Sequence, residues 1–186
     1  IVVNPHSLPS VMVSSNPGDT ICSGNSVTVS TTPLYGGTSP VYDWLVNGVA
    51  AGSGPSYTFV PVDGDVVYCK MTSNHPCRTK NIVSSNREVI SVVDQIIPVV
   101  TIHASAVSNI LPGQSDTLTA SVANGTPVAY QWYINGVPIS GATNGSFIHN
   151  TFNEFRPDSV TCIVTTGGNC PITSFGWIYI SVGKVG

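Results

Sequence analysis

Two long segments of this chain repeat one another. Gly36-Gly37-Thr38-Ser39-Pro40-Val41-Tyr42-Asp43-Trp44-Leu45-Val46-Asn47-Gly48-Val49 returns as Asn124-Gly125-Thr126-Pro127-Val128-Ala129-Tyr130-Gln131-Trp132-Tyr133-Ile134-Asn135-Gly136-Val137, which sets the two tryptophans 88 positions apart. Downstream, Asp65-Val66-Val67-Tyr68-Cys69-Lys70-Met71-Thr72 returns 93 positions on as Asp158-Ser159-Val160-Thr161-Cys162-Ile163-Val164-Thr165. A period of about 90 residues is too long for a solenoid unit and fits a whole β-sandwich domain. The chain therefore reads as two copies of one module. Through the shared Pro9 and Pro98, Ile90-Ser91-Val92-Val93 aligns onto Ile1-Val2-Val3-Asn4. Residues 1–8 then read as the tail of a preceding repeat or a linker, and the chain as an excerpt from a longer array.

Composition points the same way. Only 15 of 186 residues are charged, while Gly, Pro, Ser, Thr and Val dominate, which favours pleated strands and tight turns over helices. Period-2 alternation recurs in Ser26–Ser30, Ser56–Val60 and Thr117–Val122, and no helical i, i+3, i+4, i+7 pattern lasts beyond a turn. With a net charge of −3 and six scattered basic residues, nothing can track a phosphate backbone, so nucleic acid is excluded as a partner. No apolar run approaches the roughly 20 residues that span a bilayer, and no membrane span is expected.

Trp44 and Trp132 share a face with Val46 and Ile134, as the buried tryptophan of a central sandwich strand would. Asn47-Gly48 and Asn135-Gly136 follow at once, a strong signal for a type I′ hairpin because both central residues need positive φ.

Each module holds a Cys-x7-Cys pair, Cys69 with Cys77 and Cys162 with Cys170, flanking a short polar turn. Cysteines facing one another across a hairpin meet the separation a disulfide requires, so two hairpin bridges are expected. Cys22 is odd, its counterpart being Leu111; it is left unpaired, or it takes Cys69 in an inter-sheet bridge and frees Cys77. Either pairing implies an oxidising, extracellular compartment.

Catalytic signatures are missing. There is no Gly-x-Ser-x-Gly elbow, and His6, His75, His103 and His149 show no spacing that suggests a triad. Asp63-Gly64-Asp65 offers too few oxygens for Ca²⁺, and Cys69, His75 and Cys77 have zinc chemistry without a counterpart beside Cys170. The chain is read as a non-enzyme without metal or cofactor.

If Trp132, Val160, Cys162, Val164, Ile178, Ile180 and Val182 point inward, alternation sends Tyr133, Ile163, Trp177 and Tyr179 outward. Module one has Leu45, Lys70, Arg87 and Val89 there, so the aromatic character belongs to module two. Such a strip serves a carbohydrate-stacking face or a protein contact, or its rings pack on one another as cross-strand pairs or against a following domain.

Three segments, Cys22-Ser23-Gly24-Asn25-Ser26-Val27-Thr28-Val29, Gly36 to Gly48, and Asp63-Gly64-Asp65-Val66-Val67-Tyr68-Cys69-Lys70-Met71-Thr72-Ser73-Asn74, resemble the Ig-like or PKD-like repeats of secreted Bacteroidota proteins. Such repeats fill gliding-type surface adhesins and the stalks of type IX secretion cargo. The resemblance covers nearly all of both modules and is most specific at Trp-x-x-Asn-Gly and Asp-x-Val-x-Cys. Module two departs from it at Leu111 and Phe155-Arg156-Pro157. Asp19-Thr20-Ile21, Asp116-Thr117-Leu118 and Asp158-Ser159-Val160 resemble the O-glycosylation acceptor of that export route, which implies glycans on Thr20, Thr117 and Ser159. The plainer reading is that Asp and Ser/Thr favour strand starts and turns. Asn124-Gly125-Thr126 and Asn144-Gly145-Ser146 match the N-linked acceptor, idle in a bacterium.

The expected fold is all-β, two tandem immunoglobulin-like β-sandwiches with essentially no helix, over residues 9–94 and 95–183, with a tail at 184–186. The connection Val92-Val93-Asp94-Gln95-Ile96-Ile97-Pro98 is short and apolar, which predicts a semi-rigid stalk. The function expected is a structural or adhesive repeat of a large secreted or cell-surface protein, partnered by neighbouring repeats. The alternatives are a carbohydrate-binding module, with a glycan or surface partner, or a homo-oligomeric filament joined through Ile1–Asn4 or a free cysteine.

Overall fold

The computed structural model describes residues 6–105, 110, 114–150 and 156–181, and the chain divides into two compact units, Ile1–Asp94 and Gln95–Gly186. The described residues form strands and turns only, and no helix is long and apolar enough to cross a membrane.

The first unit contains β1 (Ser10–Asn16), β2 (Thr20–Cys22), β3 (Val27–Leu34), β4 (Val41–Val46), β5 (Val49–Ser53), β6 (Ser56–Phe59), β7 (Asp65–Thr72), β8 (Ile82–Ser84) and β9 (Glu88–Val93). One sheet runs β1-β3-β6, and the other β2-β9-β7-β4-β5 with β8 against β7. Every pairing is antiparallel except β2 with β9. Alternation in β1 and β3 turns Val11, Val13, Val27 and Val29 inward, where they meet Trp44, Val67, Cys69, Met71 and Ile90 from the facing sheet. The outer edge of β1 is blunted by Asn86, whose amide accepts from the Val13 N–H at 2.7 Å and donates to the Val13 carbonyl at 3.0 Å, in place of a further strand.

The second unit contains β10 (Val99–Ala104), β11 (Asp116–Ala123), β12 (Pro127–Ile134), β13 (Val137–Pro138), β14 (Ser146–His149), β15 (Asp158–Thr166) and β16 (Thr173–Ile180). Its sheets run β10-β11-β14 and β13-β12-β15-β16. The core joins Val100, Ile102, Leu118 and Ala120 to Trp132, Val160, Cys162, Val164 and Ile180. At Gly176 a Cβ would lie 2.5 Å from the Val100 carbonyl oxygen, so only glycine lets β16 approach β10 there. Both units are immunoglobulin-like β-sandwiches, with equivalent strands bearing equivalent residues: Trp44 sits opposite Cys69, and Trp132 opposite Cys162.

The cysteines correct the sequence reading. Cys69, Cys77 and Cys162 are free thiols, so neither Cys69–Cys77 nor Cys162–Cys170 forms, and Cys69 does not bond Cys22. The reason lies in the pleat. Cys69 and Cys162 stand mid-strand with side chains turned into the core, whereas Cys77 is exposed in a loop beyond the end of β7 and the residue opposite Cys162 on β16 is Gly176. Cys22 and Cys170 do not carry free thiols. Burial pushes both core thiols up to about 11; for Cys69 a backbone hydrogen bond at Asp43 opposes the effect and the Asp43 carboxylate adds to it. Val182 and Ile1–Asn4 lie outside the described residues.

Candidate functional site

The two segments that carry the resemblance meet in space. Asn47 and Asn135 adopt φ of 52° and 49°, followed by Gly48 and Gly136 at 82° and 79°, as the Asn-Gly hairpin reading requires. The Asn47 amide donates to Asp65 Oδ1 at 2.7 Å and accepts from the Val66 N–H at 3.0 Å. Asn135 repeats this with Asp158 at 2.8 Å and the Ser159 N–H at 3.0 Å. Each hairpin is thus clamped to the start of the neighbouring strand. Asp158 is buried where Asp65 is half-exposed, so Asn135→Ala removes a hydrogen bond from the carboxylate that is more costly to leave under-satisfied. The expected loss is about 2–3 kcal/mol for Asn135→Ala against about 1 kcal/mol for Asn47→Ala, read from urea midpoints. Equal losses would contradict this account.

Asp63 and Asp65 serve turns. Asp63 accepts from the Val92 N–H at 2.8 Å, and Asp65 Oδ2 accepts from the Val62 N–H at 2.8 Å. His75, edge-on to Tyr35 at 5.4 Å, places Nδ1 2.6 Å from the Pro76 carbonyl; His6 and His103 are exposed. The glycosylation triplets stand at the starts of β2, β11 and β15. Thr20 Oγ1 donates to Asp19 at 3.3 Å, whereas Asp116 binds the Ser105 hydroxyl and Asp158 the Asn135 amide, so each aspartate has a local bond. Thr117 is exposed; Thr20 and Ser159 are half-buried.

On the outer face of the second unit, Trp177 and Tyr179 are 60% and 63% exposed, with ring centroids 5.3 Å apart and planes at 69°. Phe175, two residues earlier on β16, is 64% exposed and extends the strip. Sequence reasoning omitted it, although the same alternation that gave Trp177 and Tyr179 reaches it. Tyr133 and Ile163 are half-buried on the same sheet face: Thr161 lies opposite both Tyr133 and Trp177, and Ile163 opposite Phe175. Inward-facing Trp132, Val160, Cys162, Val164 and Ile180 are buried, and Ile178 is half-buried. The matching face of the first unit differs in kind. Arg87 lies over the Tyr68 ring at 4.7 Å, Leu45 is buried, and Lys70 and Val89 are exposed.

The second unit also holds a cleft of about 550 Å³ between the β12–β13 hairpin and β14, lined by Ile134, Val137, Ile139, Phe147, His149 and Asp158 among others. At its inner end, His149 Nε2 stands 3.6 Å from Asp158 Oδ2, with side chains about nineteen-twentieths buried or more. Asp116 pairs in register with His149 across β11 and β14. Sequence reasoning missed this grouping because its members are 9 to 42 positions apart. The signal was present in the repeat: Val27 and Phe59, which pair in register across β3 and β6, align with Asp116 and His149.

No family model and no curated protein matches the chain. Among solved structures, fibronectin(III)-like modules of CbhA from Clostridium thermocellum are similar at 14% identity, covering 92% of this chain and 94% of that one, with a TM-score of 0.49. Three N-terminal domains of the highly immunogenic outer capsid protein of bacteriophage RB49 are similar at 13% identity and a TM-score of 0.46, over 94% of this chain; the chain spans 59% of that structure's length. Murine CEACAM1b gives 14% identity, 93% and 100% coverage, and a TM-score of 0.45.

Proposed function

We propose that the chain is a non-catalytic structural and adhesive segment of a larger secreted or cell-surface protein, in which the sandwiches act as a spacer between neighbouring repeats. The observation that carries this reading is the repetition of a complete sandwich in which the shared motif residues are spent on the fold: the tryptophans in the cores, and the Asn-Gly turns clamped by Asp65 and Asp158. The resemblance to secreted Bacteroidota repeats supports placement outside the cell and the role of stalk. Glycans on Thr20, Thr117 and Ser159 belong to the same proposal, and intact mass measurement of the natively exported chain tests them.

A second reading has its own observation: Phe175, Trp177 and Tyr179 form an exposed aromatic strip on one strand. Titration with a panel of polysaccharides and cell-surface glycans, followed by tryptophan emission, separates the two. The spacer reading expects no saturable change. A saturable change that disappears in Trp177→Ala would make the second unit a carbohydrate-binding module. Because Trp177 is mostly exposed, that variant should keep its stability within about 0.5 kcal/mol, so lost binding would not reflect lost folding. The filament reading expects concentration-dependent assembly under oxidising conditions, and monomers alone in sedimentation would remove it.

A further inference from the structure

We infer that Asn124 is a site of spontaneous covalent modification, converting to aspartyl and isoaspartyl residues in the folded chain while the other three Asn-Gly pairs are protected. An asparagine followed by glycine is open to attack by the next backbone nitrogen, because glycine has no Cβ to crowd the ring that forms. The chain holds four such pairs: Asn47-Gly48, Asn124-Gly125, Asn135-Gly136 and Asn144-Gly145. All four asparagines are exposed, so access of water does not separate them. Their hydrogen bonds do. The Asn47 and Asn135 carboxamides each donate to an aspartate and accept from a backbone N–H, and both bonds must break before Cγ can turn towards the glycine nitrogen. The Asn144-Gly145 peptide is held on its main chain instead: the Trp132 indole donates to the Asn144 carbonyl at 2.8 Å, and the Ala120 N–H to the Gly145 carbonyl at 2.9 Å. Among the described residues no hydrogen bond engages the Asn124 carboxamide or the Gly125 N–H. The nearest anchor, from the Gly167 N–H to the Thr126 carbonyl at 3.0 Å, lies beyond the reacting peptide.

In the reaction the Gly125 nitrogen bonds to Asn124 Cγ, its proton passes to the departing amide nitrogen, and the Cγ–Nδ2 bond breaks to release ammonia. Water then opens the cyclic imide. Opening at Cγ leaves an aspartyl residue on the original main chain, whereas opening at the main-chain carbonyl carbon leaves isoaspartate, which inserts an extra carbon into the backbone of the hairpin between β11 and β12. Either product adds a negative charge to a chain whose formal net charge is −3. The fold keeps the reactive pair because it needs the glycine. A Cβ at Gly125 would lie 2.7 Å from Cγ2 of Thr166, a buried and β-branched side chain that has little freedom to yield, and 3.4 Å from Pro98 Cβ. Asn124 in turn holds φ at 59°, a left-handed conformation that asparagine tolerates better than most residues.

The test incubates the folded two-unit chain in warm, mildly alkaline buffer, beside the same chain unfolded in guanidinium chloride. Peptide mapping by mass spectrometry follows each site through the mass gained when an amide becomes an acid. In guanidinium chloride, where the Asn-Gly dipeptide alone sets the rate, the four sites should convert comparably. In the folded chain Asn124 should convert at least about tenfold faster than Asn47 and Asn135, since each of those must first break two hydrogen bonds, and it should also lead Asn144. Ion exchange reads the same event as an early acidic form of the intact chain. That form should be missing from N124Q, because glutamine closes its larger ring much more slowly. Folded-state conversion of Asn124 no faster than that of Asn47 and Asn135, conversion led by Asn144, or an early acidic form that persists in N124Q overturns the proposal.

Discussion

Trp132→Ala is expected to cost the second unit about 3–5 kcal/mol, and Trp44→Ala the first unit as much, enough to leave either sandwich near its unfolding threshold. Both rings are fully buried and packed from several sides: Trp44 stacks 6.4 Å from Tyr57, and Trp132 lies 6.0 Å from Phe147. Each indole also donates a hydrogen bond within its own unit, Trp44 to the Gly54 carbonyl at 2.9 Å and Trp132 to the Asn144 carbonyl at 2.8 Å. Truncation therefore opens a cavity and leaves a carbonyl without its donor at once. Amide spectra recorded in urea should show Trp132→Ala lowering the midpoint for second-unit residues such as Val160 and Val164. A loss below about 1 kcal/mol would mean that the ring is not the centre of the core.

The second large effect is alkaline. A free thiol titrates near 9.0, and burial holds Cys69 and Cys162 up to about 11, so between those values the unfolded chain gives up protons that the folded chain keeps. Stability contributed by the neutral buried thiols is thus full below pH 9 and falls as the pH rises towards 11. Each thiol removes about 2–3 kcal/mol over that window. The difference between wild type and C69A/C162A isolates the effect from tyrosine ionisation. Thiol labelling checks the same assignment: near pH 8, exposed Cys77 should react in the native chain, and Cys69 and Cys162 only after unfolding. Rapid native labelling of either core thiol would refute the burial on which the alkaline prediction rests.

Much of the fold was legible before any coordinates. Alternation placed Trp44, Trp132, Val160 and Val164 inward and Trp177 and Tyr179 outward, because a strand's side-chain period of two is a local property. The Asn-Gly turns were legible for a similar reason: positive φ at Asn47 and Asn135 is a local cost that few residues tolerate. The cysteine pairing was not legible. Sequence separation does not report which way two side chains point, and Cys69 and Cys162 obey the pleat and enter the core.

The sequence by itself determined the modules, their repeated core and their Asn-Gly turns, since these follow from period, turn chemistry and repetition. Only the tertiary structure decided which buried ionisable groups gather in the second unit. Asp116 and His149 come together across β11 and β14, and Asp158 arrives from the opposite sheet. Which distant strands face one another is set by sheet packing, a property of the whole sandwich that no local pattern encodes.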